Sequence, residues 1–317
     1  MAMRILVPLD GSALAEQALA WAATLSRELP AELVLLRAVL VPPEAQDILD
    51  QAGAKRDALL DQLEAEAVDY LTAQVEPLKD AGLSARYTIE HGPAAEAIVD
   101  SVRRMSIRQI VMATHGYSGI KRWTHGSVAE RVLQTASVPV LLVRAQDEDK
   151  RGDWRQPMPC QRILVPLDGS RMAEQVLPMV TTIAQALDAE LILFQVPIAH
   201  VYGWMTGEWF LPVQAVLDTA EHDAQAYLSH IATHLPGLAV RVSTTTKIGS
   251  VAACIIDYAE SNQIDLIAMC THGRTGLARW ALGSVADHVL RAGNTPILLV
   301  RATLGKEAIV GKGSPVG

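Results

Sequence analysis

Cysteine, aromatic residues and long apolar runs are all scarce in this sequence. Its 317 residues include three cysteines, whose wide spacing excludes a disulfide framework and a CxxC metal pair, so no metal site is predicted. Apolar runs such as 33–36 end at a charge, far short of the roughly 20 residues that span a bilayer. The opening segment 4–10 contains an arginine, a proline and an aspartate, unlike a secretion signal. We therefore expect a cytoplasmic protein without a membrane partner.

Positive charge is also in deficit, since the formal net charge is −8. Proteins whose main partner is a nucleic acid concentrate Lys and Arg to displace counterions, so no nucleic acid partner is expected. Hydrophobic residues make up 50% of the chain and charged residues 20%, which is typical of folded globular proteins. The length is about twice that of a usual domain, and two domains are expected.

The sequence repeats itself once, with the order and the spacing of its segments preserved. The segment RILVPLDGS occurs at 4–12 and again at 162–170, and Thr-His-Gly at 114–116 returns at 271–273. A charged, proline-containing stretch without periodicity separates the two copies, as is typical of a linker. We predict domains at 1–145 and 162–302, a linker at 146–161 and a flexible tail at 303–317.

Within each copy, short apolar runs alternate with longer amphipathic ones. Runs such as 110–112 and 298–300 are continuously apolar, as expected of parallel strands covered by helices on both faces. This alternation predicts an α/β fold, with a doubly wound five-stranded parallel sheet in each domain. The predicted strands are 4–9, 32–39, 85–90, 108–113 and 138–144, the helices 13–28, 54–80, 94–105 and 127–136, and the second-copy strands 162–167, 190–196, 239–246, 264–269 and 295–301.

Ligands of such sheets bind beyond the carboxyl ends of the strands, where the strand order reverses. The first strand is followed by Asp10, and the fourth by a glycine-bearing loop that reaches Gly126 and Ser127 at the start of a helix. Unpaired N–H groups and glycine at a helix start suit a phosphate. A serine N-cap and glycine turns with a purely structural purpose explain the same residues equally well. Neither a Walker loop nor a GxGxxG fingerprint occurs.

Each copy resembles the universal stress protein family, whose ATP-binding members carry Gly-x-x-Gly, nine residues, then Gly-Ser or Gly-Thr after the fourth strand. The resemblance covers nearly the whole chain outside the linker and the tail. The second and third motif glycines and the hydroxyl fall on Gly116, Gly126 and Ser127 in the first copy. The first motif glycine is replaced by Ala113 in the first copy and by Cys270 in the second.

The resemblance implies that each copy binds ATP, with or without Mg²⁺. The implied contacts follow the first, second and fourth strands and open the helix after the glycine loop. They are Pro8, Asp10, Ala38, Met112, Ala113, His115, Gly116, Gly126, Ser127 and Val128 in the first copy, and Pro166, Asp168, Val196, Met269, Cys270, His272, Gly273, Gly283, Ser284 and Val285 in the second.

Three functions are open at this point. The first is an ATP-binding protein of stress response or regulation with at most slow hydrolysis, because no general base or metal-binding carboxylate pair stands out. The second is a dimerisation or interaction module of the same fold without nucleotide binding, which the replaced first glycine favours. The third is an enzyme that acts on adenine nucleotides through the loop containing His115, although no GxSxG elbow exposes Ser127. No catalytic residue is assigned.

The fifth strand of each copy is strongly apolar and carries a proline only at its start, Pro139 or Pro296. It lies at the sheet edge in the expected strand order, and an open edge invites pairing. We predict that the two copies pair their fifth strands as an internal pseudo-dimer, as in dimers of the family, with further homo-oligomers left open.

The two sites are expected to be unequal. Cys270 is bulkier than Ala113 beside a loop where backbone must approach phosphate closely, so the first copy should bind ATP more tightly. Arg274 stands where the first copy has Tyr117, and its charge acts in the opposite direction.

Overall fold

The structure is a computed structural model, which describes residues 3–40, 56–114, 127–144, 154–197, 213–235, 240–271 and 282–302. The predicted tail lies outside these ranges. Within them, none of the helices combines the length and the apolar character needed to cross a bilayer.

The first copy alternates strands and helices as predicted, with one helix divided. The helix predicted at 13–28 consists of two pieces, because the N–H of Gln17 donates to the carbonyl of Leu14, three residues back, at 3.3 Å. The elements are β1 (Met3–Pro8), α1 (Ala13–Glu16), α2 (Ala18–Glu28), β2 (Ala31–Val39), α3 (Arg56–Asp80), β3 (Ala85–His91), α4 (Ala94–Arg104), β4 (Gln109–Ala113), α5 (Ser127–Thr135) and β5 (Val140–Val143).

The second copy repeats this order, but its first helical turn is a 3-10 helix. Its strands begin up to three residues later than predicted. The elements are β6 (Arg162–Pro166), the 3-10 helix (Ala173–Val176), α6 (Leu177–Leu187), β7 (Glu190–Gln195), α7 (Val213–His234), β8 (Val242–Thr246), α8 (Val251–Ser261), β9 (Leu266–Cys270), α9 (Ser284–Ala292) and β10 (Ile297–Val300).

All ten strands form one sheet, in the order β3-β2-β1-β4-β5-β10-β9-β6-β7-β8. Neighbours within each copy are parallel, whereas β5 and β10 pair antiparallel, with Leu141 opposite Leu298. These two leucines occupy equivalent positions in the two copies, so the pseudo-two-fold axis passes between them. The predicted doubly wound fold and the internal pseudo-dimer through the fifth strands are both confirmed.

Both faces of the sheet are buried, and each hydrophobic core continues from one copy into the other. Helices α2, α3, α6 and α7 cover one face, and α4, α5, α8 and α9 cover the other. The strands β4 and β9 are buried at every position, because both of their faces meet helices. Because both faces are covered, we expect a ligand at the strand ends and the loops that follow them.

Two arginines join the copies beside the central strand pair. Arg144, after β5, donates to the carbonyl of Leu290 in the last turn of α9, and Arg301, after β10, donates to the carbonyl of Ala136 after α5 at 3.3 Å. Each bond satisfies a carbonyl that a helix end leaves without an intrahelical partner. Burial lowers the pKa of Arg144. The arginines therefore reinforce the strand pairing from both sides of the axis.

The described end of the predicted linker packs on the first domain. Arg27 donates to the carbonyl of Trp154 at 3.0 Å, and the N–H of Met158 donates to Thr24 Oγ1 at 2.8 Å. Cys160 is buried. Trp154 and Met158 are thus held against α2, whereas the N–H of Gln161 donates to Asp265 in the second copy, and the rest of the predicted linker lies outside the described ranges.

We expect limited proteolysis to release two stable halves, with first cuts on the amino-terminal side of Trp154. A protease needs several residues of accessible, extended backbone, and the contacts of Trp154, Met158 and Cys160 oppose that local opening. Mass spectrometry of the first fragments locates the cuts. Initial cleavage within β5 or β6, or after Met158, would contradict the expectation.

Candidate functional site

The strand order brings the ends of three strands of each copy together. In the first copy β1 lies between β2 and β4, so Asp10 follows β1 between Ala38 at the end of β2 and Ala113 at the end of β4. The N–H of Leu9 donates to the carbonyl of Leu36 at 2.8 Å, which holds this turn against β2. The chain leaves β1 for β2 on one side and returns to β4 on the other. Asp10 therefore marks the switch point of its half-sheet.

A carboxylate-centred turn follows this strand end in both copies. Asp10 Oδ1 accepts hydrogen bonds from the N–H of Ser12 at 2.9 Å and from its hydroxyl at 2.6 Å, and Asp168 accepts the same pair from Ser170 at 3.0 and 2.6 Å. The serine oxygen in turn accepts from the first helical turn, at 3.1 Å in the first copy and 3.2 Å in the second. Gly11 has φ +90°, a conformation that glycine adopts without strain. The turn thus fixes each carboxylate at the edge of the sheet.

A tyrosine from the long helix supports the turn of the first copy. Tyr70 in α3 donates its hydroxyl to Glu16 Oε1 at 3.0 Å, and Gln74 donates to the same oxygen at 3.3 Å. The guanidinium of Arg37 lies over the Tyr70 ring, 5.1 Å from its centroid. Burial, with the Glu16 charge as the next contribution, raises the pKa of Tyr70. The phenol therefore stays a hydrogen-bond donor across the physiological pH range.

The second copy has the same support but lacks the guanidinium. Tyr227 in α7 donates to Glu174 Oε1 at 2.9 Å, and burial followed by that hydrogen bond raises the pKa of Tyr227. Gln195 occupies the position of Arg37. The turn after the first strand is held by the carbonyl of Leu36 in the first copy and of Phe194 in the second, and Arg37 and Gln195 are the residues that follow. The amide nitrogen of Gln195 would lie 3.8 Å from a Cβ placed on Gly169. The two turns therefore share their carboxylates and tyrosine, whereas Arg37 is replaced by Gln195 and Ala13 by Arg171.

The start of α9 is tied to the end of β9. The N–H of Gly283 donates to the carbonyl of Thr271 at 2.8 Å, and the N–H of Thr271 donates to Val300 at 2.9 Å. Gly283 is the N-cap of α9 in an extended conformation, φ −60° and ψ 146°, and no side chain caps the helix. Ser284 is exposed in its first turn, as Ser127 is in that of α5. An anion beside Gly283 would meet backbone N–H groups and the positive end of the helix dipole.

The side chain of Cys270 is directed at the first helical turn of its copy. Its sulfur donates to the carbonyl of Ala173 at 3.5 Å, in the 3-10 helix, and the residue is buried. Burial is the largest cause that raises the pKa of Cys270 to about 12. The side chain of Cys270, which is larger than that of Ala113, therefore contacts the segment that follows the Asp168 turn. Replacing alanine by cysteine at this position can thus alter the site through this contact as well as through the glycine loop.

We expect the free energy of unfolding to fall above pH 9 because of two buried thiols. Burial raises the pKa of Cys160 and of Cys270 to about 12 from an ordinary 9.0, so the unfolded chain loses these protons first. The stabilisation is complete below pH 9 and is lost as the pH rises toward 12, by about 1 kcal/mol per thiol at pH 10. Urea denaturation from pH 8 to 10.5 should show a smaller decline for Cys270→Ala than for the parent. The partly exposed Cys254 offers the control, and equal declines in Cys254→Ala and Cys270→Ala would contradict the prediction.

The structure places half of the sequence-predicted residues at these two strand-end regions. Pro8, Asp10, Ala38, Met112 and Ala113 gather in the first copy, as do their second-copy counterparts Pro166, Asp168, Val196, Met269 and Cys270. The residues Ser127, Val128, Gly283, Ser284 and Val285 lie at the starts of α5 and α9, whereas His115, Gly116, Gly126, His272 and Gly273 lie outside the described ranges.

Sequence reasoning missed the support beneath the turns, which consists of Glu16, Tyr70 and Arg37 in the first copy. A signal for two of them was present, because Glu16 returns as Glu174 within a repeated Ala-Glu-Gln segment and Tyr70 returns as Tyr227. Arg37 left no such signal, since its counterpart is Gln195.

Comparison with known proteins gives the same match for both copies. The family model described as Universal stress protein family matches residues 1–144 and 159–301. A universal stress protein of Mycolicibacterium smegmatis is 24% identical over 308 residues, 94% of this chain and 96% of that protein. One from Methanocaldococcus jannaschii is 30% identical over 143 residues, 44% of this chain and 82% of that protein. The crystal structure of a universal stress protein from Archaeoglobus fulgidus, 19% identical, has a TM-score of 0.66 over 94% of this chain and 96% of its own, a likeness of fold.

Proposed function

The chain belongs to the universal stress protein family, and we propose that it binds ATP at the strand-end region of each copy. We propose further that the bound ATP takes part in stress response or regulation. The observation that carries the proposal is the junction of β9 and α9. The hydrogen bond from the Gly283 N–H to the Thr271 carbonyl places the start of α9 at the end of β9, and no side chain caps this helix start. Strand β9 is the neighbour of β6. Asp168 follows β6. A carboxylate and an anion-binding helix start thus lie at one edge.

The two groups suit opposite ends of a nucleotide. Asp168, fixed by Ser170, is an acceptor for ribose hydroxyl groups, and the backbone at Gly283 offers N–H donors to phosphate oxygens. Val196 and Met269 flank the turn and give an apolar wall for a base. Mg²⁺ would enter with the phosphates, since the described residues bring no three His, Cys, Asp or Glu side chains together as a metal site. The arrangement is one for holding a nucleotide.

Hydrolysis is at most slow under this proposal. The carboxylates of the described turn have structural partners, Asp10 with Ser12 and Glu16 with Tyr70. A general base for phosphoryl transfer must orient a water in line with the leaving group. Because Asp10 and Glu16 hold the turn in place, we propose that ATP acts as a regulatory ligand and not as a rapidly consumed substrate.

A second candidate function is an interaction module that binds no nucleotide. The replacement of the first motif glycine by Ala113 and Cys270 favours it, because each adds a side chain where the motif has none. The internal pairing of β5 and β10 supplies such a module with a rigid scaffold.

Calorimetric titration of the purified, nucleotide-free protein with ATP separates the two functions. We expect saturable binding with more than one ATP per chain, and release of bound adenine nucleotide when the freshly purified protein is denatured. Adenosine alone should bind more weakly, because it lacks the phosphates that the helix starts would hold. No heat of binding and no co-purified nucleotide would favour the interaction module and contradict ATP binding.

A further inference from the structure

The amino ends of the first-copy strands carry a cluster of arginines on the sheet face that α4 covers. Arg4 in β1 donates to Glu32 at 2.8 Å and to the carbonyl of Met105, just after α4, at 2.8 Å. Arg86 in β3 lies 3.2 Å from the same glutamate. The N–H of Arg108 donates to the carbonyl of Arg4 at 2.9 Å. Two arginines therefore share one carboxylate, and a third arginine adjoins them in the structure.

Two more arginines, Arg103 and Arg104, end α4 and are exposed. Cations suit this place, because the carboxyl end of a helix is the negative end of its dipole. Arg104 pairs with Glu90 in β3, whereas Arg103 and the exposed Arg108 make no ion pair with any residue that the structure describes. We call this cluster the arginine patch, and its members are Arg4, Arg86, Arg103, Arg104 and Arg108.

The second copy keeps the backbone of this region but not its charge. Arg162 donates to the carbonyl of Asn262, and the N–H of Asp265 donates to the carbonyl of Arg162 at 3.0 Å, as at the equivalent positions of the first copy. Glu190 pairs in register with Arg162, as Glu32 does with Arg4. The residues in the places of Arg86, Arg103, Arg104 and Arg108 are Ser243, Glu260, Ser261 and Asp265. An acidic patch, defined as Glu190, Glu260 and Asp265, thus replaces the arginine patch.

The carboxylates of the acidic patch keep most of their negative charge. Glu260 is exposed and accepts a hydrogen bond from the neutral amide of Asn294 at 3.2 Å. Asp265 accepts from two backbone N–H groups. Within the described ranges, Arg162 is the one cation that pairs with the patch, 3.7 Å from Glu190. The second copy is therefore acidic where the first is basic.

The two patches lie at opposite ends of the molecule. Because β5 and β10 pair antiparallel, the strands of the two copies begin at opposite ends of the common sheet. Arg241, which is also at the amino end of its copy, donates to the carbonyl of Asp188 after α6, a helix of the opposite face, at 2.8 Å. One chain thus presents a basic patch at one end and an acidic patch at the other, both built on the same backbone.

We propose that the arginine patch docks on the acidic patch of a second copy of this chain, so that the protein associates head to tail. The partner is assigned by charge complementarity, since each chain carries both halves of the contact. Such a contact joins different surfaces of the two chains and leaves a free patch at each end of the pair, so it can repeat. Complementary charge selects this partner and this orientation.

The association is weak and sensitive to salt. The net charge of −8 makes whole chains repel each other, but at physiological ionic strength charges more than about 8 Å apart are largely screened. The charges in the contact therefore decide the outcome. Single exposed ion pairs stabilise little, so several must act together, and the assembly forms at high protein concentration.

Reciprocal exchange of the patch residues tests the proposal. An acidic variant gives the first copy the residues of the second, and its substitutions are Arg86→Ser, Arg103→Glu, Arg104→Ser and Arg108→Asp. A basic variant gives the second copy those of the first and keeps Asp265, and its substitutions are Ser243→Arg, Glu260→Arg and Ser261→Arg. Each variant alone should associate at least about tenfold more weakly than the parent, because like patches meet. An equimolar mixture of the two should regain the association, since each basic patch then finds an acidic one.

Sedimentation velocity over a range of protein concentrations, at low and at high ionic strength, measures the association. Circular dichroism checks that each variant unfolds at the parent's midpoint. Arg131→Glu with Lys247→Glu is the control, because it also makes the chain more acidic but at exposed positions away from the amino ends of the strands. This control should associate like the parent.

Four results would overturn the proposal. They are a parent that stays monomeric at low ionic strength, an association that salt does not weaken, an acidic variant that associates like the parent, and a mixture of folded variants that does not regain the association. Retention of a monomeric parent on a heparin column, lost in the acidic variant, would assign the arginine patch to a polyanionic partner instead.

Discussion

Leu298→Lys should lower the free energy of unfolding by at least about 4 kcal/mol and separate the two copies in space. Leu298 is fully buried opposite Leu141 in the antiparallel pair that joins the copies, and both leucines belong to the core that runs across the sheet. The substitution removes a buried apolar side chain and places an ammonium among the buried apolar side chains of that core. Leu141→Lys should act in the same way, because the two positions are related by the pseudo-two-fold axis.

Urea denaturation followed by circular dichroism measures the loss, and small-angle scattering measures the separation. Tyr87→Lys is the control, a change to lysine in the edge strand β3, where the side chain is 38% exposed, and it should cost about 1 kcal/mol or less. A Leu298→Lys protein with the parent's denaturation midpoint and radius of gyration would contradict the described pairing of β5 with β10.

The alternation of apolar runs made the fold predictable from the sequence. Runs such as 110–112 are apolar at every position, as expected of a strand covered on both faces, and the repeat of RILVPLDGS indicated two domains. The first helical turn could not be predicted in the same way. Its division at Gln17 and the 3-10 form in the second copy depend on hydrogen bonds three residues back, from Gln17 to Leu14 and from Gln175 to Met172. Periodicity does not report such contacts.

The sequence predicts residues of the candidate site where the residue type itself suits a ligand, and it misses residues whose position depends on packing. Asp10 and Gly283 follow from the rule that ligands meet the carboxyl ends of parallel strands. The position of Arg37 over Tyr70 depends on how α3 packs beside the turn, and α3 is separated from β2 by a long connection. No local pattern links a residue in a strand to a ring on a helix more than thirty positions away. Comparison of the two copies aligns Arg37 with Gln195, but it does not show what either side chain contacts.

The two copies should bind ATP with unequal affinity, the first about tenfold more tightly, and Gly283→Val should abolish the weaker site. The difference that weakens the second copy is the sulfur of Cys270 against the 3-10 helix, where the first copy has Ala113. Arg274, beside Gly273 in the sequence, opposes it with a positive charge.

Gly283→Val is a clean probe of the second site because Gly283 has a backbone conformation that valine also adopts, φ −60° and ψ 146°. Its N–H can still donate to Thr271, so the helix start is kept while a branched side chain fills the approach of a phosphate. Ser250→Val is the matched control, an exposed N-cap in the same conformation, φ −71° and ψ 123°, that makes no side-chain cap bond. Titration should show both ATP sites in Ser250→Val and the tighter one alone in Gly283→Val. If Gly283→Val instead removes the tighter site, the ranking is reversed, and the charge of Arg274 outweighs the bulk of Cys270.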